Sequence, residues 1–408
     1  MTTRSVLISG ASIAGPALAF WLHRAGIETT IVERAPELRR GGQNVDVRGA
    51  GREVARRMGI EDDVKAATTG EAGVQFVDAR NRVKAAFPAG TSDTAGPTAE
   101  VEILRGDLAG IIVEATERST DYVFGDRITA LDESQTRSRA GSGGITASFE
   151  HGEDRTVDVV VAADGIGSST RRLVFGGEPR IRQLGMYTAY LTIPRTATDS
   201  AWARWHNATG GRTMTLRPDN VGTTRATFSF LSEPRGYERL DAEAQKDVLR
   251  RRFADVGWEA PRILAALDAE TDMYFEAIGQ VHAPRWTHGR VALLGDAGYC
   301  ASPISGMGTS LALVGAYVLA GELATHADHR DAFAAYERVM RPYVEKAQQL
   351  PPGAPRLANP KSRAGIALFN AALAVAANPV VSRIGGRFFS PPADEVSLPD
   401  YPAFAARA

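Results

Sequence analysis

The apolar positions of this chain fall into two different periods. Arg4–Gly10 is an apolar run that predicts a strand. Ala17, Leu18, Trp21 and Leu22 then recur at helical spacing over Pro16–Ala25, Gly26 stops the helix, and Thr29–Val32 predicts a second strand ending at Glu33. A near-continuous Val and Ala run, Thr156–Ala163, predicts a strand buried on both faces, and Val291–Leu294 predicts another. From Leu184 to Ser232 the period shortens to two. Tyr187–Pro194, Ala201–His206, Arg212–Arg217 and Thr223–Leu231 predict four strands with no helix between them, an antiparallel meander. Gly73–Phe87 predicts a strand pair around Asp78–Asn81, and Tyr274–Val281 a strand that leads back to the first unit. Helical spacing marks Leu108–Thr116, Asp241–Gly257, Ser310–Thr325, Ala332–Gln349 and the apolar Ala364–Ala377.

The pattern gives an α/β fold class: a Rossmann-like unit with an inserted, mainly antiparallel sheet and a C-terminal helical segment. The expected division assigns 1–73, 99–181 and 276–345 to the nucleotide-binding unit, 74–98 and 182–275 to the inserted sheet, and 346–408 to the C-terminal segment. With 408 residues the chain can bury a large core. A net charge of −1 and no basic run argue against a nucleic-acid partner. The single cysteine, Cys300, excludes an intrachain disulfide framework and fits a reducing, cytoplasmic setting. The first strand begins almost at once, which leaves no room for a signal peptide, and Ala364–Val381 is interrupted by Asn370, Asn378 and Pro379, so no membrane span is expected. That apolar segment leaves monomer and homodimer both open.

Three stretches carry candidate chemistry. Gly10-Ala-Ser-Ile-Ala-Gly15 lies between a strand and a helix, with Glu33 about 20 residues on, the arrangement that passes a pyrophosphate and holds a ribose; Ser12 replaces the middle glycine. Asp164-Gly165 ends a buried strand, where it reads equally as a ligand contact or as a cap for the next helix. Gly295-Asp296 leads into a loop with Pro303, Gly306 and Gly308 and then an apolar helix, whose N-terminus suits a negative group. Arg34–Arg48 reads as an extended segment crossing the ligand, and Arg105 sits just before a helix, as a surface residue or a phosphate contact.

Together and in this order, the three stretches and the inserted sheet resemble the single-component FAD-dependent aromatic hydroxylases, the para-hydroxybenzoate hydroxylase family, over about residues 4–350. The run Gly41-Gly-Gln-Asn-Val-Asp-Val-Arg48 and the layout of Glu102–Asp107 look closest to the tetracycline-inactivating and antibiotic-tailoring branch. The resemblance implies that Gly10, Ser12 and Gly15 pass the FAD pyrophosphate, that Glu33 and Arg34 hold the adenosine, and that Arg105 reaches the pyrophosphate or ribityl chain. It places Asp164 in a motif serving FAD and the nicotinamide donor, Asp296 at the ribityl–pyrophosphate stretch, Asp46 along the cofactor, and Pro303, Gly306 and Gly308 against the flavin ring. The implied activity is hydroxylation of an aromatic or polyketide-like molecule through a flavin C4a-hydroperoxide, with NADPH or NADH as transient donor and O₂ as oxidant. Substrate is expected between flavin and inserted sheet, near Tyr187, Trp205, His206, Thr213 and Phe228; no catalytic residue is named.

A flavin-dependent halogenase would share these motifs, but its Trp-x-Trp-x-Ile-Pro run is missing: Trp202 and Trp205 have the wrong spacing. A flavin reductase uses no oxygen, and a non-catalytic nucleotide-binding protein would be free to lose Asp296 and Pro303, which are present.

Overall fold

The computed structural model describes residues 3–39, 41–89, 101–133, 143–269, 273–378 and 396–405. Arg40 and residues 90–100 lie outside them.

The apolar runs pair into a six-stranded sheet in the order Thr287–His288, Val291–Leu293, Val159–Ala162, Ser5–Ser9, Glu28–Glu33, Asp121–Phe124. All neighbours run parallel except the two-residue edge strand Thr287–His288. Leu7, Ile8, Ile31 and Val159 through Ala162 are fully buried, as a sheet covered on both faces requires. From Ser5–Ser9 the chain passes to Glu28–Glu33 on one side, while Val159–Ala162 adds on the other. Such a reversal opens a crevice at the carboxyl ends of the central strands.

The run Thr156–Ala163 is not one strand. Arg155–Val157 joins a three-stranded antiparallel sheet with Ile145–Phe149 and Ile128–Asp132, and only Val159–Ala162 enters the main sheet. Asp158 makes the break: its Oδ2 accepts from the backbone N of Arg4 at 2.9 Å and of Ser5 at 3.0 Å. A side chain thus satisfies donors that a continuous ladder would have met.

The second large sheet has seven strands, ordered Tyr274–His282, Arg180–Pro194, Thr223–Leu231, Arg212–Pro218, Trp202–Ala208, Gly73–Val77, Val83–Pro88. Strict alternation settles its two faces. Ala189, Leu191, Ile193, Met214, Leu216, Ala226 and Phe230 pack against the helices Ala242–Phe253 and Ala260–Ala266. The opposite face carries Thr188, Tyr190, Thr192, Thr215, Arg225, Thr227 and Ser229. The helix expected over Asp241–Gly257 stops at Phe253, and the short second helix was not apparent in the spacing.

The helix Gly308–Thr325 runs through the core between Ala14–Arg24 and His329–Gln348. Among the described residues it is the one helix long and apolar enough to cross a membrane, and most of it is buried within the protein. Residues 396–405 dock on its flank. Tyr401 donates to Glu322 Oε1 at 2.7 Å, and Phe404 lies 4.7 Å from the Trp21 ring.

Candidate active site

The crevice is built first from backbone. Gly10 has φ +111°, and a Cβ there would lie 2.5 Å from the Ala163 carbonyl oxygen; one at Gly15 would lie 2.0 Å from the carbonyl oxygen of Gly10. Both positions need glycine so that helix and strand can close on each other. Glu33 holds the turn, its Oε2 accepting from Ala11 N at 3.0 Å and its Oε1 from Ala35 N at 2.9 Å. The serine in the middle glycine position has a partner: Arg105 Nη1 donates to Ser12 Oγ at 2.9 Å, and Nη2 to the Gly41 carbonyl at 3.0 Å. A Cβ at Gly42 would sit 2.7 Å from Arg105 Nε. Burial, then the neighbouring Arg39, pulls the Arg105 guanidinium below its ordinary value. Arg34 is exposed at the mouth.

Asp164 turns onto its own helix. Its carboxylate accepts from the Ser168 hydroxyl, from Ser169 N at 2.9 Å, and from Thr170 N at 3.2 Å and Thr170 Oγ1 at 3.1 Å. The capping alternative is the geometry present. Arg171, on that helix, donates to the Ala297 carbonyl at 2.6 Å and to the Ile166 carbonyl at 2.6 Å, joining the second motif to the third. Asp46 pairs with the buried Arg48 at 2.9 Å, and the Arg48 carbonyl accepts from Ser310 Oγ at 3.0 Å.

Asp296 begins a four-residue helix after Val291–Leu293 and is exposed to the crevice. Protein surrounds the crevice closely enough that desolvation raises its carboxyl above the usual value, opposed by a hydrogen bond with Cys300. Ser302 has φ +77°, which a side chain rarely adopts, and leads into the one-turn helix Pro303–Ser305. Gly306 has φ +64°, and a Cβ on Gly308 would meet nothing nearer than Asp296 Oδ1 at 4.0 Å. The helices Ala14–Arg24 and Gly308–Thr325 both start with no side-chain cap, unlike those after Ser168, Asp241, Asp328 and Ser362. Two positive dipole ends without a side-chain cap therefore border the crevice. Glycine paths and uncapped helix starts fit a long, doubly phosphorylated, flat group.

The family model described as "FAD binding domain" matches residues 3–350. The chain belongs to this family. It is 37% identical over 434 residues to the flavin-dependent monooxygenase eupH of Phoma sp., covering 99% of this chain and 98% of that one. It is 39% identical over 355 residues to a flavin-dependent monooxygenase from an unknown prokaryotic organism, covering 85% and 88%. The crystal structure of tetracycline destructase Tet(51) superimposes with a TM-score of 0.80 at 30% identity, over 98% of this chain and 100% of the other. The chain is accordingly an oxidoreductase, a flavin-dependent monooxygenase.

The sheet face of this monooxygenase corrects most of the expected substrate contacts. Tyr187 and Phe228 lie in the core on the far side of the sheet. The Tyr187 hydroxyl accepts from Arg235 N at 2.8 Å and Gly236 N at 3.1 Å, and Phe228 stacks on Phe253 at 4.1 Å. His206 points the same way, with Nδ1 3.0 Å from the Val77 carbonyl and its ring 5.2 Å from Trp258; burial lowers its pKa. Thr213 is on the crevice face, but it is buried and its hydroxyl donates to Asn359 and accepts from Asn207. Trp205 alone of the five remains in the lining, in a cross-strand row that runs Phe76, Trp205, Thr215, Thr227, Tyr190, Tyr274. Tyr190, Tyr274 and Glu276 were missed. The signal was available: in Tyr187–Ile193 the odd positions are the apolar set, so the even ones face the crevice.

Proposed function

We propose that this monooxygenase consumes NADPH or NADH and O₂ to hydroxylate an aromatic or polyketide-like small molecule. The observation that carries the reading is the polar face of the seven-stranded sheet, whose row from Trp205 to Tyr274 comes close to Asp296 at its Tyr274 end. That face offers rings to stack on and hydroxyls to orient a flat, oxygenated molecule. The polycyclic substrate class implied by the name of Tet(51), a tetracycline destructase, supports it.

Bound FAD would supply the hydride acceptance and the activation of dioxygen. The chain's part is to bind, orient and keep out water. In this reading Gly10, Ser12 and Gly15 give the pyrophosphate close approach to the first helix. Glu33 and Arg34 hold the adenosine, Arg105 meets the phosphates, and Asp46 and Asp296 take the ribityl hydroxyls. Asp164 acts at one remove, fixing through Arg171 the turn that carries Asp296. Pro303, Gly306 and Gly308 lie along the ring, and the dipole of Gly308–Thr325 favours negative charge beside it. Arg39, exposed beside Arg105, suits a phosphate of the transient donor.

The test is oxygen uptake by the yellow holoprotein with NADPH and with NADH, over a panel of polycyclic phenols. Uptake stimulated by a phenol, with one oxygen atom found in the product, is expected. Uptake that no phenol stimulates, or a product without added oxygen, would refute the reading. Asp296→Ala is expected to lose flavin on gel filtration; full flavin occupancy would remove Asp296 from the cofactor site.

A further inference from the structure

One helix of this protein is apolar on the side that packs and apolar on the side that does not. Arg363–Ala376 bears a single charge, at its first residue, and lies against the strand Val83–Pro88. Gly365, Ile366, Phe369, Leu373 and Ala376 are half-buried. The Phe369 ring is 5.9 Å from Phe76, itself 5.5 Å from Trp205 of the crevice row. Between them, at the same helical period, Ala364, Leu368, Ala371, Ala372 and Val375 stand in water, Leu368 73% and Val375 60% exposed. Leu357, on the short preceding helix Ala354–Ala358, is 62% exposed. A surface helix ordinarily turns charge to solvent, and a helix apolar all round is ordinarily buried. This helix does neither.

Charge points to what covers it. From Lys346 to Ala393 the sequence holds six lysines and arginines and none of the chain's 48 acidic residues, in a protein whose net charge is −1. Three of those cations, Arg356, Lys361 and Arg363, are exposed just before or at the start of the helix, and no carboxylate among the described residues pairs with them. A second copy of the chain answers this face poorly, because a two-fold contact sets the same surface against itself and offers its cations no acid. An anionic bilayer supplies both things the face needs: an acyl boundary for Leu368 and Val375, and phosphates in the same plane for the cations.

We propose that the outer face of Arg363–Ala376, with Arg356, Leu357 and Lys361 before it, docks this protein on the surface of an anionic membrane. The helix lies in the interface and does not cross it: its 14 residues span about 21 Å, against a hydrocarbon core of about 30 Å. Its inner face stays on Phe76, which puts the bilayer behind the Trp205 end of the crevice row. With so few large apolar side chains the attachment is reversible, and because the cations are exposed it weakens as salt is raised. The inference does not depend on which molecule the crevice oxidises.

The experiment is sedimentation of the full-length, FAD-loaded protein with vesicles of phosphatidylcholine containing about one quarter phosphatidylglycerol, and with vesicles of phosphatidylcholine alone. In ~0.1 M salt, binding to the anionic vesicles is expected to be about 10-fold tighter or more than to the neutral ones, and to fall as salt rises. Leu368→Gln with Val375→Gln, which adds no charge, is expected to weaken binding roughly 10-fold. Lys361→Gln with Arg363→Gln is expected to weaken binding to anionic vesicles by roughly 10-fold or more and to leave the neutral ones unchanged. All four side chains are exposed, so the urea midpoint should stay at the wild-type value and keep folding out of the comparison. No binding of wild type to anionic vesicles, or equal binding by wild type and the Leu368→Gln/Val375→Gln variant, would overturn the proposal. So would a dimer in sedimentation velocity that this variant returns to monomer, which would give the face to a second copy.

Discussion

Arg171 Nη1 lies 2.6 Å from the carbonyl oxygen of Ala297, and this contact ties the helix after Asp164 to the turn after Asp296. Arg171 is almost fully buried, so its loss strands the buried Ala297 carbonyl and frees the half-buried Ile166 carbonyl. Arg171→Ala is expected to lower stability by about 2–4 kcal/mol, read as a shift in the urea midpoint. Arg171→Lys should recover only part, because an ammonium cannot span both carbonyls in one geometry.

Ser12 is the second link. Removing its hydroxyl in Ser12→Ala frees Arg105 from one of its two anchors without touching the glycines. FAD affinity, followed by quenching of flavin fluorescence, is expected to weaken roughly 3- to 10-fold, the effect of one charge-assisted hydrogen bond. Ser12→Thr keeps an acceptor in place and should recover most of it. An unchanged affinity in Ser12→Ala would show that Arg105 is positioned by Gly41 alone.

The two sheet faces separate stability from catalysis. Phe228→Ala, in the core, is expected to cost about 3–5 kcal/mol of stability while the folded fraction keeps its kcat. Tyr190→Phe, on the crevice face, is expected to leave the urea midpoint within about 1 kcal/mol and lower kcat at neutral pH. Equal effects of both on kcat would mean that the face assignment is wrong.

Acid should act on the inserted sheet through Asp199. Burial alone would raise this carboxyl, but hydrogen bonds from Arg262 and the Thr196 backbone, with the charges of Arg262 and Arg204, hold it at about 2 against an ordinary 3.8. The folded value is the lower one. Its contribution, about 2 kcal/mol, is therefore complete above about pH 4 and is lost as pH falls toward 2. Urea midpoints at pH 5 and pH 3 should differ in wild type, and the difference should shrink in Asp199→Asn.

Much of the crevice was legible because it is made of backbone. Gly10 and Gly15 sit where a Cβ has no room, and such positions announce themselves as glycine in the sequence. Side-chain destinations were harder to read. Asp158 divides an apolar run through hydrogen bonds to Arg4 and Ser5, more than 150 residues away in sequence. Residue type cannot separate Tyr187 from Tyr190; only alternation along the strand does, and it puts Tyr187 in the core and Tyr190 on the other face.

The docking of residues 396–405 bears on the order of assembly. The Tyr401 ring packs where a side chain at Gly321 would otherwise stand, and Tyr317 donates to the Pro399 carbonyl at 2.6 Å, both on the helix whose front end borders the crevice. During synthesis, every motif of the crevice has left the ribosome before this stretch emerges. Until it docks, Tyr317 on that helix and Trp21 on the neighbouring helix Ala14–Arg24 face water, so a nascent or prematurely terminated chain would carry a sticky, poorly braced crevice.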